Sequence, residues 1–190
     1  MAKCILYGSG ANNIIPGTDN INGLTYREAT INGIKDAWSG EYNKKNVNVE
    51  IMDVSDGKKH YIKEGQQFYN VAINNRAGVP NHSGWFAKNK IGQTNLYTAD
   101  SRDGKNVKDF DVGTFSLIAA HEFGHALGIS DAYDATSIKT QIPSIMYDQY
   151  VYNKAQAVDY SMMLKVSRTN KWQAWNRNLN LLNEMGIKYN

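Results

Sequence analysis

The stretch His121-Glu122-Phe123-Gly124-His125-Ala126-Leu127-Gly128-Ile129-Ser130-Asp131 decides how the rest of the chain is read. His121 and His125 are four residues apart, so on a helix their imidazoles share one face. At about 100° per residue, Phe115, Ala119, Phe123, Ala126 and Leu127 gather on the opposite side. That split predicts a helix from near Thr114 to about Leu127, with one face in a core and the other presenting histidines to a cleft. Gly128 is the expected stop, because a residue without a Cβ accepts the left-handed backbone that turns the chain. The turn brings Asp131 back toward the two histidines.

Two neutral imidazoles with an oxygen ligand suit zinc, and a neighbouring carboxylate, Glu122, suits a base acting on water. A chance His-Glu-x-x-His is about a 2% event in a chain this long, so context has to add to it. The competing reading is a surface helix that happens to carry two histidines. The apolar reverse face, the following Gly128 and the placement of Asp131 weigh against that. Asp134, three residues further on, is a rival third ligand if the turn opens, and either aspartate can equally serve a loop through a turn hydrogen bond.

Working outward, Thr25-Tyr26-Arg27-Glu28 has a capping-box pattern, and Ile31, Ile34 and Trp38 follow at helical spacing before Gly40. This predicts a helix over 25–39. Alternation at Val47, Val49 and Ile51 predicts one strand, Tyr69, Val71 and Ile73 a second, and Ile91 to Thr98 a third. The first twenty-odd residues, the stretch Asn74 to Lys90, residues 100–109 and residues 132–143 read as irregular. Trp172, Trp175, Leu179 and Leu182 keep helical spacing, with Gly186 closing that helix.

The 190 residues suit one domain, with 42% hydrophobic and 21% charged content. A net charge of +3 without a basic run gives no reason to expect a nucleic-acid partner. No apolar run reaches membrane-spanning length, so no membrane partner is expected. The single cysteine, Cys4, excludes an intramolecular disulfide. The N-terminus lacks the apolar segment of a signal peptide.

The pattern His121-Glu122-x-x-His125-x-x-Gly128-x-x-Asp131, followed by Ser144-Ile145-Met146, resembles the metzincin clan of zinc endopeptidases, which includes the matrix metalloproteases, astacins and serralysins. Their usual third ligand is a histidine. This chain has Asp131 there, an exchange that the small bacterial protease snapalysin also shows. The resemblance covers roughly residues 113 to 147. It implies an α+β, metzincin-like fold: an N-terminal lobe over about 1–128 with a twisted mixed sheet and two long helices, and a small C-terminal lobe over about 129–190 with a Met-turn and a final helix. It implies one catalytic Zn2+ held by His121, His125 and Asp131, with Asp131 favoured over Asp134 by the family spacing. Glu122 would be the general base, and Met146 would support the site from the Met-turn. Astacins and serralysins place an oxyanion-binding tyrosine two residues after that methionine, where this chain has Asp148, which leaves Tyr147 and Tyr150 as candidates for such a role. The strand Ile91 to Thr98 is the expected edge for pairing with an extended peptide. The expected activity is that of a zinc-dependent endopeptidase acting on a protein or peptide substrate as a monomer, outside the producing cell. Two other readings are a delivered effector or toxin protease with one protein target, and a catalytically silent zinc-binding module. Nothing in the sequence speaks to structural calcium.

Overall fold

The computed structural model describes residues 2–18, 23–53, 68–75, 84–88, 91–100, 108–133, 142–169 and 171–187. Asp134, His60 and His82 lie outside them. The architecture is mixed α+β, with four α-helices and a five-stranded sheet among the described residues.

The sheet order is β4-β1-β5-β7-β6, with β1 Ala2–Tyr7, β4 Ile51–Asp53, β5 Phe68–Asn74, β6 Gly84–Lys88 and β7 Ile91–Tyr97. β4, β1, β5 and β7 run parallel, and β6 returns antiparallel to β7. Three expectations change here. The N-terminal stretch is not irregular: Lys3-Cys4-Ile5-Leu6-Tyr7 is a continuous run suited to an interior parallel strand, which carries no alternation to recognise. Ile91 to Thr98 is not an edge, because β5 and β6 pair with its two sides. The edge beyond it is β6, which falls inside the stretch read as loop.

The alternation at Val47, Val49 and Ile51 does not make one strand either. β2 Gly40–Tyr42 and β3 Lys45–Val47 form a hairpin. Asn43 and Lys44 turn it with positive φ values of 50° and 61°, as a tight two-residue turn requires. Val47 therefore ends one strand and Ile51 begins another, while the Val49 amide donates to Ser39 Oγ at 3.0 Å.

α1, Tyr26–Trp38, starts at the expected capping box. The Thr25 amide donates to Glu28 Oε2 at 2.9 Å, and the Glu28 amide donates to Thr25 Oγ1 at 3.2 Å. α2, Val112–Ala126, begins at Asp111, whose carboxylate accepts from the Thr114 amide at 2.9 Å. The two helices approach closely, because a Cβ on Gly33 would sit 2.5 Å from the Ser116 carbonyl oxygen. Trp38 Nε1 donates to Ala120 O at 2.9 Å, and the Trp38, Phe115 and Phe123 rings complete the contact between them. α2 also packs on β7 and β6, so the histidine motif rides on a helix buried between sheet, α1 and the loops that follow it.

The C-terminal part holds more helix than the single one expected. α3, Ala157–Thr169, precedes a short 3-10 turn at Trp175–Arg177 and α4, Leu179–Glu184. Trp172 is outside both. It lies in a segment that pairs with the chain leaving α2: the Gln173 amide donates to Gly128 O at 2.8 Å, and the Ser130 amide donates to Gln173 O at 3.0 Å. The regular spacing from Trp172 to Leu182 thus reflects burial of Trp175 and Leu182 by separate short elements.

Candidate metal centre

α2 ends as its sequence predicts. Gly128 has φ +86°. Its amide donates to His125 O at 2.9 Å, and the Ile129 amide donates to Gly124 O at 3.1 Å. This paired closure is a Schellman motif, and it fixes where the Ile129 carbonyl points. That oxygen accepts a hydrogen bond from His125 Nδ1 at 2.8 Å. His121 Nδ1 donates in the same way to Ile145 O at 2.9 Å. A carbonyl only accepts, so each Nδ1 carries a proton, which leaves each Nε2 either to donate a second proton toward Asp131 or, without that proton, to bind a cation.

Both Nε2 atoms face Asp131. Its Oδ1 is 3.0 Å from His121 Nε2 and 3.3 Å from His125 Nε2. Glu122 Oε2 is 3.9 Å from His125 Nε2. His121, Glu122 and His125 form a group able to hold a metal ion, each offering one ligand atom within 4.8 Å of the others. Asp131 meets the same two nitrogens at shorter range. Two ligands about 2.05 Å from a tetrahedral zinc lie about 3.3 Å apart, which the Asp131 contacts approach more closely than the Glu122 contact does. With both Nδ1 protons committed, the three converging atoms repel unless a proton or a cation lies among them. The donor set therefore fits a borderline cation such as zinc.

The electrostatics agree with that convergence. Burial opposes a charged His125, but the hydrogen bond to Asp131 and the negative charges of Asp131 and Glu122 prevail and raise its pKa. Burial pushes Asp131 upward, but its hydrogen bonds from His121 and His125 and their charges hold it well below the usual carboxylate range.

The motif side chains are largely buried. His121, Glu122 and His125 are only 5%, 6% and 7% exposed. Part of the cover is the loop 144–147. Met146 is fully buried, and a Cβ on Gly124 would sit 2.2 Å from its Sδ, so the methionine packs directly against α2 at Gly124. Met146 O accepts from the Ala132 amide at 2.8 Å, which ties this loop to the residue after Asp131.

Asp159, on α3, holds the same loop and gave no signal in the sequence. It is fully buried, accepting from Ser144 Oγ at 2.5 Å, from the Gln156 amide at 2.7 Å and from the Ile145 amide at 3.3 Å. Burial pushes its carboxyl up to about 6 against the pull of those hydrogen bonds. Asp159 thus grips the amide of Ile145, the residue whose own carbonyl orients His121.

Tyr147 is half-buried against the core, and Tyr150 is 58% exposed. The aromatic rings that lie against the imidazoles are two others. Tyr133 stacks on His121 and Trp172 on His125. No family model matches the chain, and comparison with curated proteins and with solved structures also returned no match.

Proposed function

We propose that the protein is a zinc-dependent endopeptidase of metzincin-like build, with His121, His125 and Asp131 as ligands and Glu122 as general base. The observation that carries this reading is the convergence of two Nε2 atoms on Asp131 Oδ1 while both Nδ1 atoms are tied to carbonyls. Three protein ligands leave a fourth position for water or substrate, the pattern of catalytic rather than closed structural sites. Zinc, when bound, would lower the pKa of water and polarise the scissile carbonyl.

The chain's own groups supply the rest. Ile129 O and Ile145 O hold the imidazoles in register. Glu122, held beside them on the same buried helix, takes a proton from the attacking water and passes it to the leaving amine. Its longer distance to His125 Nε2 suits a base standing next to the ligand set. Met146 and Asp159 support the loop that orients His121. The sheet is mixed, with one antiparallel strand, β6, at an edge next to α2, which is compatible with that build. β6 is the strand along which an extended peptide would pair.

The test is Glu122→Ala, measured for metal content and for cleavage of a peptide library. The variant should keep its zinc and lose turnover by at least about a hundredfold. A zinc-loaded wild type that cleaves no peptide, or turnover that survives both the substitution and chelation, overturns the reading.

A further inference from the structure

Each imidazole of the site carries a large aromatic ring on one face. Tyr133 lies parallel to His121, with an interplanar angle of 6° and centroids 6.5 Å apart. Trp172 lies parallel to His125, at 13° and 6.1 Å. The two imidazoles are themselves perpendicular, at 88°, so the two outer rings stand roughly at right angles. Both are substantially exposed, Tyr133 at 56% and Trp172 at 45%. Isolated apolar residues on a surface need no explanation. Two aromatic faces stacked on the ring systems of one reaction centre are not isolated.

Trp172 is also held rigidly. The backbone on its C-terminal side is joined to the chain leaving α2 through the Gln173 bonds to Gly128 and Ser130. Three residues later Trp175, only 1% exposed, donates from Nε1 to Ser130 O at 2.7 Å. Trp175 thus anchors the segment in the core, and Trp172 presents part of its ring to solvent beside the metal ligands. A fixed, partly exposed indole next to a site is the type of surface on which an apolar ligand group gains most.

We propose that Trp172 is a specificity-determining residue: its indole forms a wall of the subsite that takes a bulky apolar or aromatic side chain next to the cleaved bond. This rests on the endopeptidase reading. Residues of an extended peptide are about 3.3 Å apart, so with its scissile carbonyl at the open position beside the ligand set a substrate carries its flanking side chains within reach of a ring whose centroid is 6.1 Å from that of His125. Aromatic pairs prefer centroid separations of about 4.5–7 Å, a range the exposed face of Trp172 can offer to a phenyl group.

The experiment uses the zinc-loaded protein and its Trp172→Ala and Trp172→Phe variants. Two probes are compared: a benzyl-bearing and a methyl-bearing hydroxamate, read as inhibition or binding constants. In parallel, peptides with Phe or Ala on either side of the cleaved bond are read as kcat/KM. The wild type should favour benzyl over methyl, and Phe over Ala at one flanking position, by about tenfold. Trp172→Ala should remove most of that preference with metal content unchanged, and Trp172→Phe should keep most of it. Loss that is equal for both probes, or that follows loss of zinc, would make Trp172 a prop for His125 and overturn the proposal. A preference that persists in Trp172→Ala overturns it as well. If the wild type cleaves no peptide yet binds the benzyl probe through Trp172, the endopeptidase reading falls and the subsite stands.

Discussion

Replacing Gly128 by alanine should cost about 3 kcal/mol of stability, and the structure divides that figure into two parts. The first is backbone. Gly128 sits at φ +86°, a left-handed conformation that costs a residue with a Cβ roughly 1–2 kcal/mol. The second is space. The new Cβ would lie 2.8 and 3.1 Å from the two Cγ methyls of Val166 on α3, well inside the ~3.5–4.0 Å of comfortable carbon contact. Val166 is β-branched and cannot easily rotate away, so overpacking adds about 1–3 kcal/mol. Gly186, just past α4, is an internal control: its φ is +76° and nothing lies within 4 Å of a Cβ there, so Gly186→Ala should carry the backbone cost alone. At about 3 °C per kcal/mol for a chain of this size, calorimetry of the metal-free proteins should show Tm falling by about 9 °C for Gly128→Ala and about 4 °C for Gly186→Ala. The same strain moves the Ile129 carbonyl off His125 Nδ1. Partners of that kind are worth about 10–100-fold in metal affinity. Competition against a chelator should therefore show zinc held at least about tenfold more weakly by Gly128→Ala and unchanged in Gly186→Ala. Equal Tm shifts, or unaltered zinc affinity in Gly128→Ala, would refute the account of the turn as the device that aims His125.

Two further outcomes follow from the ligand geometry. Asp131→Ala should lower zinc affinity by more than about a hundredfold, a larger effect than loss of an outer partner. Metal analysis after dialysis checks this, and near-full occupancy would assign the third ligand to another carboxylate. The pH dependence of stability should be steeper without metal than with it. His125 is raised, so without metal its pairing with Asp131 stabilises fully below the ordinary histidine value of about 6.5 and is lost as pH rises through the raised folded value. Asp131 is lowered, so its contribution holds above about 3.9 and fades only as pH falls through its folded value. Metal-free protein should thus melt lower at pH 8.5 than at pH 5.5; buried Asp159, pushed up to about 6, adds a fall over the same window with or without metal, so the zinc-loaded protein should show the smaller drop. A metal-free Tm that climbs between those two values would contradict the pairing.

The parts legible in the sequence are those governed by near neighbours. Thr25 and Glu28 announce α1 because a capping box is closed within four residues, and Gly128 announces the end of α2 because its backbone demand is local. The spacing that brings Asp131 back to His121 and His125 is also short enough to read. β1 was hidden because an interior parallel strand has no alternation, and β6 because Trp85-Phe86-Ala87 has none either. The Val47–Ile51 alternation misled because a tight turn at Asn43-Lys44 gave Val47 a local partner. Asp159, Tyr133 and Trp172 became visible only with tertiary structure. Asp159 reaches Ser144 from another helix, and Trp172 reaches His125 through a backbone pairing formed with the chain beyond Gly128.

Both imidazoles are steered by main-chain oxygens, those of Ile129 and Ile145. Every amino acid supplies such an oxygen, so the steering is indifferent to which apolar side chain occupies either position. Spacing is what the arrangement cannot surrender. Substitutions at 129 and 145 that preserve packing would leave the imidazoles aimed, whereas adding or deleting one residue between 125 and 129 would remove the acceptor altogether. Tolerance of a changed side chain and intolerance of a changed length are therefore expected of the same few residues.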